Sequence, residues 1–348
     1  MKRLAKIMLG LNIGLVILTL LSYLSPLINP ITFWPTSLLG IFYPILFVLN
    51  LLFIVVWLVS KPAYALISFL TLVIGWRQVQ NIYALPLTEH EIPAETTTLQ
   101  VMSYNVAYLN RVMSNARHSR EDEFSQYIKE KNPDIVCLQE VNDKAVNFFA
   151  SLLDSSFTFE IRKPAGILSR YPIKQTGYLF DNAQKVYALW ADIQYHDAPI
   201  RVYCLYLQSN QITRDADNLV REGDLQEEKT WSTVATILTK YKSAAQKRAE
   251  ILPVLEQHLQ ECPYPYVLAG DFNDVPHSYL YHQLSDGMND SFHFSKGVKF
   301  TYGGVIPFLR IDYILATPDW NIYSFDRDQV NYSDHFPIFS TLALAKKS

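Results

Sequence analysis

The chain is short of cysteine throughout and short of charge over its N-terminal part. Three cysteines stand in 348 residues: Cys137, Cys204 and Cys262. None has a CxxC or Cys/His neighbour at zinc-binding spacing, and an odd count without a framework argues against a disulfide-stapled fold. Cys137 and Cys204 lie inside apolar runs and read as small buried hydrophobes. Residues 1–95 hold five basic residues (Lys2, Arg3, Lys6, Lys61, Arg77) and three acidic ones (Glu89, Glu91, Glu95), which leaves 25 basic and 30 acidic for residues 96–348, a formal charge of −5. That half lacks the basic excess by which a protein grips duplex DNA through its phosphates, so weak duplex binding is expected. There is no internal repeat, and no low-complexity tract beyond the apolar blocks.

Apolar residues fill the charge-poor region. Residues 7–24 are uncharged and long enough to span a bilayer. The basic start also suits a signal peptide, but no Ala-x-Ala site follows and a second apolar block comes soon after. Residues 38–59 are the clearest span, with Trp34 and Trp57 near their ends. The intervening loop, 25–37, has three prolines and no Lys or Arg. A third block, 62–76, covers ~22 Å as a helix, short of a ~30 Å hydrocarbon core. It can reach Leu85 by snorkelling Arg77, or lie in the interface. Positive-inside counting puts the N-terminus and Lys61 in the cytoplasm. If the third block crosses, the rest of the chain is extracytoplasmic, and that topology is the expectation. The expected organisation is a membrane anchor over 1–85 with two to three transmembrane helices, a polar linker over 86–97, and a soluble domain over 98–345.

The soluble part alternates strand and helix patterns. Strands are expected at 99–106, 134–138, 186–195, 200–207, 311–315 and 336–342. Helices are expected at 120–131 and 143–153, with a long helical stretch over 210–260 whose surest part is 248–259. This is an α/β chain.

The stretch that organises it is 266–274, an apolar strand ending on Gly270, Asp271, Phe272 and Asn273. Side chains two apart on an extended chain share a face, so Asp271 and Asn273 point together. A carboxylate can activate a water and a carboxamide can donate to a phosphoryl oxygen. A plain Asx turn explains the same residues. Four more sites end or interrupt an apolar strand with polar groups: Asn105, the Gln139-Glu140 pair, Asp312, and the Asp334-His335 pair. Each has a bland explanation: Glu140 as a helix cap, Asp312 paired with Arg310, His335 as a satisfied loop histidine. Together they supply acidic oxygens for a hard cation, an amide, a histidine and a buried carboxylate to orient it. That set suits metal-assisted phosphoryl hydrolysis.

The segments SYN, LQEV, GILSRYPI, LYLQS, GDFND, RIDYI and SDHFPI, in this order, resemble the endonuclease/exonuclease/phosphatase superfamily over about residues 98–345. The resemblance implies a four-layer αββα sandwich with the site at one end of two packed sheets. It implies Glu140 as the main Mg²⁺ ligand, supported by Asn105, and Asp271 as the residue that positions or activates water. It further implies Asn273 on the scissile phosphate, His335 stabilising phosphoryl charge, Asp312 orienting His335, and Asp334 assisting the metal or the histidine. Mn²⁺ is the expected substitute for Mg²⁺. One position departs: Tyr206 stands where many members have a histidine, and in this it resembles the apurinic endonucleases, which have tyrosine there. A phenol hydrogen-bonds a phosphate but is a poor acid near neutral pH.

The expected activity is that of a membrane-anchored, Mg²⁺-dependent phosphoesterase. Its expected substrate is a phosphodiester, nucleic acid first and phospholipid or small phosphoester second, and no protein partner is inferable. The alternative is a non-catalytic, membrane-tethered binding module that keeps the fold, against which the intact Glu140, Asp271, Asn273, Asp312 and His335 speak. Residues 210–247 and 294–308 are the expected specificity loops.

Overall fold

The computed structural model describes residues 2–85, 91–113, 119–152, 157–212, 215–216, 219, 228–304 and 308–345. The N-terminal part is helical: α1 (Lys2–Ser22), α2 (Pro30–Phe33), α3 (Pro35–Ser60), α4 (Pro62–Ile74) and α5 (Trp76–Gln80). Proline opens α2, α3 and α4, where its missing N–H costs no helical bond. α1 and α3 are long and apolar enough to cross a membrane. The third apolar block is two shorter helices, because α4 stops at Gly75 and the chain restarts at Trp76.

These helices pack polar side inward. Asn12 Nδ2 donates to Ser68 Oγ at 2.7 Å and Trp57 Nε1 donates to Asn12 Oδ1 at 2.8 Å. Asn50 Nδ2 donates to Thr19 Oγ1 at 2.9 Å, and the Tyr23 hydroxyl to the Thr71 carbonyl at 2.9 Å. Only 17% of the apolar window of α1 and 22% of that of α3 is buried. Leu4, Leu11, Leu52, Val55 and Val59 are exposed.

The rest of the chain is a sandwich. Its strands are β1 (Leu99–Asn105), β2 (Ile135–Gln139), β3 (Thr158–Arg162), β4 (Ala165–Ser169), β5 (Ile173–Phe180), β6 (Val186–Tyr195), β7 (Ala198–Tyr206), β8 (Tyr266–Asp271), β9 (Asn289–Asp290), β10 (Asp312–Ala316), β11 (Trp320–Arg327) and β12 (Ile338–Leu344). Its helices are α6 (Glu121–Lys131), α7 (Asp143–Leu152), α8 (Glu228–Gln260) and α9 (Tyr279–Ser285). One six-stranded sheet runs β11-β12-β1-β2-β4-β3, the other β5-β6-β7-β8-β10-β9.

Strand alternation makes the layers. Val101, Cys137, Val202, Val267 and Ala269 face the other sheet in one shared core. Their neighbours Met102 and Leu138 face out, with Phe124, Phe148 and Phe149 of α6 and α7. Leu268, Tyr203 and Leu315 face out on the second sheet, against Leu252 and Leu255 of α8 and Leu280 of α9. The order is therefore helix, sheet, sheet, helix.

Two parallel pairs, β1 with β2 and β7 with β8, run in the centres of the two sheets. Their C-terminal ends meet on one rim. Gly270 makes this possible on β8. Its φ is +144°, and a Cβ there would lie 2.1 Å from the Leu205 carbonyl oxygen of β7. Gly270→Ala is expected to destabilise the protein by at least ~1–3 kcal/mol, as overpacking does, read as a lower apparent Tm. An unchanged Tm would mean that β7 and β8 do not approach so closely.

The N-terminal helices dock on this domain. Tyr43 lies against His277 with ring centroids 4.0 Å apart. The Tyr241 hydroxyl donates to the Ser37 carbonyl at 2.8 Å. Ala84 and Gly297 exchange backbone hydrogen bonds at 3.0 Å.

Candidate active site

Each strand end on the rim delivers one polar side chain. Asn105 closes β1, Tyr206 closes β7 and Asp271 closes β8. Glu140 follows β2 directly, on a left-handed backbone with φ +55°. Asp312 opens β10, in register with Asp271. His335 comes just before β12. The turn after β1 is also left-handed at Ala107, Tyr108 and Leu109, without glycine. It is held by Tyr108 N–H to the Glu140 carbonyl at 2.9 Å and by Ala107 N–H to Asn105 Oδ1 at 3.0 Å. Residues in sparsely populated backbone regions persist only where their surroundings hold them.

Hydrogen bonds join these groups across the two sheets. Asn105 Nδ2 donates to Asp271 Oδ2 at 2.9 Å and to Glu140 Oε1 at 3.1 Å. The Tyr206 hydroxyl donates to the same Glu140 oxygen at 3.0 Å. The other Glu140 oxygen takes no hydrogen bond among the described residues. Asp271 also accepts from the Asn273 N–H at 2.8 Å and from Asn273 Nδ2 at 3.0 Å. Asn273 Nδ2 donates in addition to the Leu207 carbonyl at 3.0 Å. Both its amide protons are thus engaged, and donation to a substrate oxygen requires one to be released.

His335 Nδ1 sits 3.0 Å from Asp312 Oδ2, and its Nε2 sits 3.8 Å from Asp271 Oδ2. Burial works against a charged His335, but Asp312 and Asp271 outweigh it and push its pKa up to about 10. Burial pushes Asp271 up as well, to about 7, against the pull of His335 and with a further push from Asp312. Near neutral pH the buried pair thus favours an imidazolium between two carboxyl groups. Tyr206 is raised, first by burial and then by Glu140, so it stays a phenol.

The eight side chains singled out in the sequence converge here. Glu140, Asn273, Asp334 and His335 line one cavity of about 170 Å³. Asn105, Asp271, Asp312 and Tyr206 are bonded to Glu140, Asn273 or His335 around it. The bland explanation of Asp312 fails, because Arg310 pairs instead with Asp290 at 2.6 Å. Beyond those eight, the cavity is also lined by Ile41 from α3, Val275 and Leu309, and by Asn210, Ile212 and Tyr302 of the stretches expected as specificity loops. Of the expected specificity loops, residues 213–214, 217–218, 220–227 and 305–307 lie outside the described residues. Beside the cavity, Arg248 is buried with Asp274, Nε to Oδ2 at 3.0 Å, and its Nη1 donates to the Gln208 carbonyl and Asn210 Oδ1. No short motif marks that pair in the sequence.

Among the described residues, Asp271, Asp312 and His335 bring ligand atoms within 4.8 Å of one another, near enough to share an ion. Their contacts argue for a different use. Each nitrogen of His335 already faces a carboxylate, and a metal there would displace the proton that holds the pair together. A hard divalent cation fits better at Glu140, which offers a free carboxylate oxygen on the cavity that Asp334 also lines. Asn105 is the less available donor, since its two amide protons and its oxygen are all engaged.

A family model described as Endonuclease/Exonuclease/phosphatase family matches residues 102–335. A second, described as a domain of unknown function, matches residues 5–82. No curated protein matches the chain. The endonuclease/exonuclease/phosphatase from Bacteroides vulgatus is similar in structure, with TM-score 0.51 and 19% identity over 72% of this chain and 100% of that one. A family protein from Bacteroides thetaiotaomicron has TM-score 0.51 and 17% identity over 72% and 99%. D. rerio TDP2, in complex with single-strand DNA product, has TM-score 0.51 and 16% identity over 71% and 99%. At these identities the likeness is one of fold.

Proposed function

The chain belongs to the endonuclease/exonuclease/phosphatase family, and from that premise we propose that it is a membrane-anchored, divalent-metal-dependent phosphodiesterase. One observation carries the reading: a continuous set of contacts runs from Asp312 through His335, Asp271 and Asn105 to Glu140. A binding module without catalysis has no use for a buried imidazolium held between two carboxyl groups, whose burial is costly.

The residues divide the chemistry as follows. Asp271 accepts a proton from the attacking water, whose oxygen bonds to phosphorus. His335, cationic and fixed by Asp312, stabilises charge on the phosphoryl oxygens and gives a proton to the departing alkoxide as the P–O bond breaks. The products are a phosphomonoester and an alcohol. Asn273 steadies Asp271 and meets the phosphate with whichever amide proton it releases. Glu140 and Asp334 would hold Mg²⁺ or Mn²⁺, which when bound neutralises phosphoryl charge. Asn105 and Tyr206 orient Glu140. The single-strand DNA product with which TDP2 was crystallised supports a phosphodiester as the bond that is cut.

Chelation with EDTA is expected to abolish hydrolysis of bis-p-nitrophenyl phosphate by the full-length protein, and Mg²⁺ to restore it. Tyr206→Phe is expected to raise the Mg²⁺ concentration needed by about 10–100-fold, the usual cost of losing a partner of a metal ligand. Full activity in EDTA would contradict the metal assignment.

The N-terminal helices support anchoring. Their polar groups face inward and their leucines outward, the reverse of a soluble bundle. α1 is hydrogen-bonded to α3 and α4, which suits a retained helix better than a cleaved signal. Lys61 stands between α3 and α4, at the end of the bundle away from Ser37 and Ala84, which touch the sandwich. By the positive-inside rule this favours three crossings and an extracytoplasmic catalytic domain. Alkaline phosphatase fused after Ala94 is expected to be active; a fluorescent protein that glows at that junction would overturn the topology.

A further inference from the structure

The catalytic cavity is walled in part by the N-terminal helices. Ile41, on α3, lines it together with Glu140, Asn273 and His335. Ile41 packs on Val275, Tyr302, Leu309 and Ile311, so one side of the cavity is apolar. A phosphate with its polar substituents gains nothing from such a wall. An alkyl or acyl group attached to the phosphate does.

The position of Ile41 is fixed on both sides. A Cβ at Gly40 would lie 2.4 Å from Ser25 Oγ and 2.5 Å from the His277 carbonyl oxygen, so α3 touches the catalytic domain there. Ser37 accepts the Tyr241 hydroxyl, and Tyr43 lies on His277. From Ile41 the same helix face continues away from the cavity through Ile45, Val48 and Leu52, at i+4, i+7 and i+11. These are 47%, 48% and 55% exposed. The four residues make an apolar track of ~16 Å. It leads from the surface that the anchoring reading gives to lipid straight to the catalytic cavity. On the cavity's other flank, Ser209 and Gln211 also line a wider groove of about 520 Å³ that carries Arg162, Lys163, Lys185 and Lys247, with Asp181 and Glu250. Apolar on one side and polar on the other, the site matches an amphiphile.

We infer that the substrate is a lipid phosphoester taken laterally from the bilayer that holds the anchor. Its apolar portion lies along α3 against the Ile41 wall, and its phosphate meets Asn273 and His335. Ile41 is then a specificity-determining residue, and the anchor is a part of the active site as well as a tether. This rests on the phosphoesterase reading above.

The test compares kcat/KM of the full-length protein, in one detergent, for p-nitrophenyl methyl phosphate and p-nitrophenyl octyl phosphate. The octyl ester is expected to be preferred by ~10-fold or more, since each buried methylene contributes. Ile41→Asn is expected to cut that preference at least about fivefold, and Ile41→Leu to keep it. Partition into micelles is common to all variants and cancels in the comparison. Leu309→Asn, in the same apolar wall as Ile41, makes the same test should Ile41→Asn fail to fold. Hydrolysis of both esters with the same preference in wild type and in the Asn variant overturns this inference and leaves the phosphoesterase reading standing. Hydrolysis of neither ester by the wild type overturns both.

Discussion

His335→Ala and Asp271→Asn are each expected to lower kcat at least about a hundredfold, because each removes a group that acts in the transition state. The imidazole is held by Asp312 at 3.0 Å and faces Asp271 at 3.8 Å. Alanine removes both the positive charge and the proton for the leaving group. Asparagine is nearly isosteric with Asp271 and can keep the hydrogen bond from the Asn273 N–H, but it cannot accept the water proton. KM is expected to move little. Steady-state kinetics on bis-p-nitrophenyl phosphate reads these numbers, and near wild-type turnover in His335→Ala would place the chemistry elsewhere.

Arg248→Ala is expected to be the most destabilising single change near the cavity. The Arg248 side chain is 0% exposed and that of Asp274 is 8%. Removing the guanidinium leaves a buried carboxylate without its countercharge, which costs about 3–5 kcal/mol. It also strips a donor from the Gln208 carbonyl and from Asn210 Oδ1. For a domain of this size the apparent Tm should fall on the order of 10 °C. The double change Arg248→Ala with Asp274→Ala should recover part of that loss, because no unpaired charge remains. A double variant less stable than the single one by the full cost of Asp274→Ala would show that the pair is not coupled.

Much of the sandwich was legible because its central strands are short apolar runs with a polar residue at the rim. The expected strands 99–106, 134–138, 186–195 and 311–315 coincide closely with β1, β2, β6 and β10. The edge strands were not. β3 and β5 are half-exposed on both faces, so no alternation marks them. Seven of the eight site residues could be picked out because each sits at or beside a strand end, where the strand stops or starts, and Tyr206 through the resemblance. Their partners could not. Asp312 and Arg310 are two apart and invite pairing, yet Arg310 reaches Asp290 from another strand while Asp312 takes His335. Tyr206 poses a question of acidity in the sequence, whereas its hydroxyl goes to Glu140. In the sequence Ile41 is only one residue of an apolar span. Its place in the cavity depends on contacts with Val275 and Ile311, more than two hundred residues away, and no local pattern encodes those.

The most direct measurement is ³¹P NMR of bis-p-nitrophenyl phosphate incubated in Mg²⁺ with the full-length wild type and with Asp271→Asn. Conversion to the monoester by the wild type, and its near loss in the variant, is the predicted result. A wild type that leaves the diester intact, or a variant that cleaves it as fast, would contradict the assignment of this rim as a phosphodiesterase site.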